Sequence, residues 1–117
     1  MHEKAVKIVV FVPETHANAV RTAMTDSGAG LIGDYAGCSF SIRGIGRFVP
    51  LATAHPIVGT TGQLTEVKEE RIETVCYEKD LDAIIAAVKK VHPYEEVAID
   101  VYPLLRNPHD ITYKGQK

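Results

Sequence analysis

The sequence predicts an α+β sandwich of βαββαβ order, with two helices on one face of an antiparallel sheet and a β-hairpin and loop inserted at the middle. Three observations carry this. The chain reads strand-helix-strand twice in succession. Its first strand is apolar on both faces, as a strand inside a sheet must be. Its second helix carries an apolar stripe at i, i+3, i+4 and i+7 spacing and is closed by Pro93.

In the first strand, residues 5–12, Val6, Ile8, Val10 and Val12 fill one face and Ala5, Lys7, Val9 and Phe11 the other. Pro13 ends it and suits a helix entry. Residues 14–27 follow as a helix, with Glu14 at the positive end of its dipole and a stripe of Ala17, Val20, Ala23 and Met24. Gly28 or Gly30 then supplies a left-handed stop. Residues 34–51 are β-like, with Phe40 and Ile42 alternating with Ser39, Ser41 and Arg43. Gly44-Ile45-Gly46 breaks this run, so a hairpin turn is expected there. Residues 53–64, with Pro56, Gly59 and Gly62, form a long loop of the size often used for function.

Residues 66–77 are a charged strand with Ile72, Thr74 and Cys76 on one face and Arg71, Glu73 and Val75 on the other. The acids between Glu66 and Glu73, interleaved with Lys68 and Arg71, predict a solvated or intersubunit ion-pair surface. Asp80 is expected to N-cap the second helix, whose core stripe is Leu81, Ile84, Ile85, Val88 and Val91. Lys89, Lys90 and His92 complement its negative end. Val97, Ile99 and Val101 then alternate with Ala98, Asp100 and Tyr102 in a last strand closed by Pro103. This is the pattern of a ferredoxin-like sandwich. Residues 1–106 make one domain and residues 107–117 a polar tail.

The chain has 117 residues, 45% apolar and 24% charged, enough for one autonomous core. A net charge of −2 argues against a nucleic-acid or anionic membrane surface. No long apolar run or export signal is read at the N-terminus. Cys38 and Cys76 form neither a disulfide framework nor a CxxC metal pair, so both are expected reduced and the compartment cytoplasmic. Two helices cover only one sheet face, yet Val9, Phe11, Ala98 and Tyr102 make the other apolar. The expected consequence is a homo-oligomer, dimer or trimer, built through the open face.

Several motifs then stand out: Phe11-Val12-Pro13 with His16, residues 30–35, Cys38-Ser39-Phe40, residues 44–50, and residues 70–73. They are joined by His92-Pro93-Tyr94-Glu95-Glu96 and by Asp100-Val101-Tyr102-Pro103-Leu104. Together they resemble the insert domain of the Nif-three-like (YqfO-type) proteins and its free-standing relatives, over residues 4–104. Thr53-Ala54-His55-Pro56 departs from the pattern, which more usually carries a glycine and an asparagine there. The resemblance implies a fold similar to PII signalling proteins and CutA, whose subunits assemble through their sheets. It also implies that the two-metal site of the full-length family lies in the halves flanking the insert, so no metal carries over with these residues.

The densest chemistry is at residues 92–96. An imidazole and carboxylates suit zinc or a similar divalent cation. In an extended segment, however, Glu95 and Glu96 point to opposite faces. The bland reading has His92 at the helix end, Pro93 breaking the helix, Tyr94 packed, and one glutamate holding a loop backbone. His16 and Glu14 do not share a helix face. With the two helices expected to run roughly parallel, His16 and His92 should lie far apart within a subunit. Cys38-Ser39 as a nucleophile pair lacks a base at a telling spacing, and Cys76 reads as structural. Gly44-Ile45-Gly46 does not open a helix, so it is not a phosphate loop.

The candidate ligand-binding residues are therefore His16, Cys38, Ser39, His92, Tyr94, Glu95 and Glu96. The candidate metal ligands are His16, His55, His92 and Glu95. The leading expectation is a homo-oligomeric regulatory module without a catalytic set of its own, binding a small molecule or a partner protein. The alternative is a metal-dependent hydrolase whose histidines and glutamate meet between subunits.

Overall fold

The computed structural model describes residues 4–105, so the expected tail, residues 107–117, lies outside them. The elements run β1 (Ala5–Pro13), α1 (Ala17–Asp26), β2 (Phe40–Phe48), β3 (Thr65–Tyr77), α2 (Leu81–Val91) and β4 (Ile99–Pro103). A single 3-10 turn precedes each helix, at Glu14–His16 and at Glu78–Asp80. Among the described residues the strands form one sheet in the order β2-β3-β1-β4, every neighbour antiparallel. This is the expected sandwich, with β1 inside the sheet.

The core lies between the sheet and the helices. Val6, Ile8, Val10 and Val12 of β1 meet Ile72 and Cys76 of β3, Ala17, Val20 and Met24 of α1, and Ile84 and Val88 of α2. Removing this apolar surface from water is the main source of stability. Burial, with the charge of Asp80 adding to it, pushes the Cys76 thiol up to about 11. It is a neutral core side chain at physiological pH, as its strand position predicts.

Arg21 ties α1 to the sheet. Its guanidinium donates to Glu70 at 2.5 Å, to Ser41 at 3.0 Å and to Asn18 at 2.6 Å. Glu70 is a buried carboxylate with Arg21 as its cation. Removing one partner of such a pair leaves an uncompensated buried charge. Arg21→Ala should therefore lower stability by about 3 kcal/mol in urea unfolding, whereas Arg47→Ala, at an exposed pair with Glu66, should cost under about 1 kcal/mol.

Four expectations need correction. The turn expected at Gly44-Ile45-Gly46 does not form: β2 runs straight through those residues. The β2–β3 hairpin closes instead through residues 49–64. Ile45 to Phe48, paired with Lys68 to Thr65, extends past the last β1 pairing at Pro13↔Glu69. Gly46 serves side-chain packing rather than chain reversal, because the Glu69 carboxylate fills the place of its β-carbon, whereas nothing lies within 4 Å of a β-carbon at Gly44.

Asp80 occupies the N-cap position of α2 but makes no side-chain cap bond, because the preceding 3-10 turn holds it in a helical conformation. The helices do not run parallel. β1 and β3 are antiparallel, and each helix returns along its own strand, so α1 and α2 are antiparallel as well. The start of α1 and the end of α2 therefore lie at the same end of the domain.

The open sheet face is less uniformly apolar than its strand pattern predicts. Val9 is already fully buried. It sits opposite Glu73, on which Lys7 converges at 3.6 Å and Arg71 at 2.8 Å. Arg71 also lies 5.6 Å from the centre of the Phe11 ring. The exposed apolar groups of this face are Phe40 and Ile42 on the edge strand β2 and Tyr102 on β4.

Candidate functional site: a cleft under the loop of residues 49–64

Residues 92–98 connect α2 to β4 across the C-terminal end of β1. Pro93 prevents α2 from continuing, and His92 turns out of the helix with extended backbone while its N–H still bonds Val88. The His92 ring folds back onto β1. Nε2 lies 2.8 Å from the Phe11 carbonyl oxygen, and Nδ1 lies 3.1 Å from the Tyr94 backbone nitrogen. A carbonyl can only accept and an N–H can only donate, so the ring is the neutral tautomer protonated at Nε2.

Burial lowers the His92 pKa from its ordinary value. The bond to Phe11 and the charge of Glu69 oppose that shift, and His16 adds to it. His92 is thus a neutral cross-link between α2, β1 and the connection. It is not the cationic partner of the helix dipole that its position predicts.

Tyr94 reaches the open side of the sheet. Its hydroxyl donates to Glu69 Oε2 at 2.9 Å, and its ring meets Phe48 edge-on at a centroid distance of 6.0 Å. Desolvation, with the bond to Glu69 and its charge adding to it, raises the Tyr94 pKa well above the ordinary phenol value. The phenol therefore stays a proton donor across the physiological range.

Glu69 is buried, and its carboxylate passes directly over Gly46, where any β-carbon would collide with it. On β3 the adjacent glutamates divide between the faces: Glu70 turns to the helices and Glu69 to the cleft. Glu95 accepts the backbone N–H of His55 at 3.0 Å and so holds the loop of residues 49–64. The loop is braced internally by Ala54 N–H to Leu51 O at 3.0 Å and Gly62 N–H to Pro50 O at 2.8 Å.

Between this loop and the sheet is a cleft of about 640 Å³. Phe11, Phe48, Pro50, Ile57, Tyr94 and Ala98 give it an apolar wall, and Glu69, Glu95 and Glu96 supply carboxylates. Bends at Glu95 and Glu96 bring both into one cleft, against the strand alternation expected there. The bland reading of residues 92–96 accounts for His92, Pro93 and Glu95, yet the same residues also wall a cavity.

The other sequence candidates are distributed as follows. His16 lies at the His92 end of the domain with Nδ1 at 2.8 Å from the Thr15 hydroxyl, so the predicted separation from His92 is wrong, because the helices are antiparallel. His55 engages Glu95 through its backbone, with its side chain exposed. Cys38 and Ser39 precede β2, whereas the cleft lies at that strand's other end. The Cys38 carbonyl accepts the Thr74 hydroxyl at 2.5 Å, and its N–H bonds Gly30 O at 2.9 Å.

Among the described residues no three His, Cys, Asp or Glu side chains converge as a metal-binding group. His92 has both ring nitrogens committed to backbone. Sequence reasoning missed Glu69, Phe48 and Gly46. The signal was Gly46 on β2, on the Glu69 side of β3, where the missing β-carbon leaves room for a long side chain to lie across the strand.

No family model matches the chain. A curated relative from Bacillus subtilis (strain 168), a "GTP cyclohydrolase 1 type 2 homolog", is 47% identical over 102 residues, 87% of this chain and 27% of the relative. The crystal structure of a Bacillus cereus protein related to NIF3 superposes with a TM-score of 0.80 at 47% identity, covering 94% of this chain and 28% of that one. This chain is homologous to a segment of the NIF3-related proteins. It spans about a quarter of the length of the curated relatives it matches.

More distant structures share the fold. CutA from Archaeoglobus fulgidus has a TM-score of 0.64 at 14% identity, covering 87% of this chain and 85% of that one. The ATP complex of Bacillus subtilis GlnK has a TM-score of 0.61 at 13% identity, covering 89% and 84%. The NIF3-related segment thus has the CutA and PII type of ferredoxin-like fold, as the sequence motifs imply.

Proposed function

We propose that this NIF3-related segment is a binding module without a catalytic set of its own, and that the cleft between residues 49–64 and the open sheet face is its ligand or partner site. The cleft carries this reading. It is concave and mostly apolar, with a few fixed polar groups, which is the composition of small-molecule sites. Its acids are engaged in bonds that shape the site: Glu69 with Tyr94, and Glu95 with the loop backbone. Among the described residues, no hydrogen bond joins Cys38 or Ser39 to a basic side chain.

The module works as a homo-oligomer in a regulatory role. Phe40 and Ile42 lie exposed on the long edge strand β2, and the β2–β3 ribbon projects past β1 with Ile45 and Leu64 exposed. A two-stranded ribbon with uncovered apolar groups gains stability from a neighbour. Cys38 and the buried Cys76 are both free of disulfides, which accords with a cytoplasmic setting.

Sedimentation velocity at micromolar concentration tests the assembly. A dimer or trimer that dissociates in the Phe40→Glu/Ile42→Glu variant is expected, and a wild-type monomer would refute it. For the cleft, the backbone amides of Gly46, Ala54 and Tyr94 should shift in NMR spectra when simple aromatic fragments are titrated. Shifts confined to other parts of the domain would refute the site.

A further inference from the structure

The cleft's charge distribution, with the reading of it as a binding site as the starting point, assigns a ligand class. We propose that it takes a small hydrophobic cation, an ammonium or amidinium group on an aromatic or branched apolar body. The single cationic side chain among the described residues of its lining, Arg47, is neutralised by Glu66 at 2.8 Å. Among the described residues, no ion pair engages Glu69, Glu95 or Glu96. Three carboxylates therefore line an apolar cavity with no ion-pair partner of their own among the described residues.

Their placement is graded. Glu69 lies deepest, its Oε2 held by the Tyr94 hydroxyl while Oε1 lies over the bare Cα of Gly46. The missing β-carbon of Gly46 is what lets this carboxylate lie against β2 as part of the cleft wall. Glu95 is partly occupied by the loop N–H of His55, and Glu96 is exposed at the mouth.

The aromatic wall suits the same charge. The faces of Phe48 and Tyr94 carry the negative end of a quadrupole, and a cation within about 6 Å of a ring centroid is attracted to it. The sheet already displays this chemistry, in the Arg71 guanidinium above Phe11 and the Lys79 ammonium above Tyr77. Among the described lining residues, an anionic ligand would meet carboxylates and no unpaired cation. The cleft therefore disfavours phosphates and carboxylates as well as favouring ammonium groups.

The test compares three probes of one size on the full chain: 2-phenylethylammonium, neutral 2-phenylethanol and anionic 3-phenylpropionate. Each is titrated while the amides of Gly46, Ala54 and Ala98 are followed by NMR. The ammonium should bind at least about tenfold more tightly than the other two. Glu69→Gln, which keeps an acceptor for Tyr94, should remove most of that preference, and Glu96→Gln should remove less.

Equal binding of the three probes in the cleft, or a preference unchanged by Glu69→Gln, would overturn the charge assignment and leave the cleft standing. Failure of every probe to shift these amides would overturn the cleft and the assignment together.

Discussion

Replacing His92 with alanine should lower stability by about 3 kcal/mol, read as a shift of the urea midpoint. The imidazole satisfies two backbone groups at once, the Phe11 carbonyl and the Tyr94 N–H. Its removal leaves a buried acceptor and donor without partners and opens a cavity at the junction of α2, β1 and the cleft connection. A metal-ligand role predicts otherwise: tag-free wild-type protein would carry stoichiometric metal that His92→Ala releases, and chelation would lower the wild-type urea midpoint.

The same group predicts a pH dependence. Burial holds the folded-state pKa below the ordinary value of 6.5, so at intermediate pH the unfolded chain binds more protons. The contribution of His92 is therefore complete above about pH 6.5 and is lost as pH falls through the lowered folded value. Protonating Nδ1 sets an N–H against the Tyr94 N–H, and the new charge faces His16 on one side and Glu69 on the other. The difference in unfolding free energy between wild type and His92→Ala should shrink from pH 7 to pH 5. A constant difference would contradict the neutral cross-link.

Gly30→Ala is the second large effect, at about 3 kcal/mol or more. At this domain size that is a fall in Tm on the order of 15 °C. Gly30 has φ +82, and a β-carbon there would lie 2.7 Å from the Cys38 carbonyl oxygen and 2.8 Å from the Cys38 nitrogen. Both are backbone atoms. They are held by Cys38 N–H to Gly30 O at 2.9 Å, while Gly30 N–H bonds Val75 O at 2.8 Å.

No rotamer change relieves that contact, so the segment leading into β2 would detach from β3. Gly28→Ala provides the control. With φ +112 and nothing within 4 Å of a β-carbon, it carries only the conformational cost, about 1 kcal/mol. Equal destabilisation by the two substitutions would show that the Gly30–Cys38 approach is unimportant.

The element order, the central position of β1, the core stripe of α2 and the long loop were all legible in the chain. Each is a periodic or compositional signal within one segment. The motifs of residues 30–50 and 92–104 led to the NIF3-related proteins for the same reason: they are contiguous. The course of β2 was misread at Gly44-Ile45-Gly46, because glycine ends a strand and also clears space beside one. The neighbour that decides between these uses, Glu69, is more than twenty positions away.

His92 and Tyr94 show where local reading stops. Their side-chain partners, Phe11 and Glu69, lie on other strands, and the direction of each depends on how the antiparallel helices bring the start of α1 and the end of α2 together. Local periodicity and residue type were enough for the fold, because burying apolar stripes leaves few arrangements of these six elements. The cleft came only from the assembled tertiary structure. Its walls join Phe11 of β1 and Glu69 of β3 to residues of β2, the loop and the α2–β4 connection, and charge and shape arise there from contacts between residues that share no local pattern.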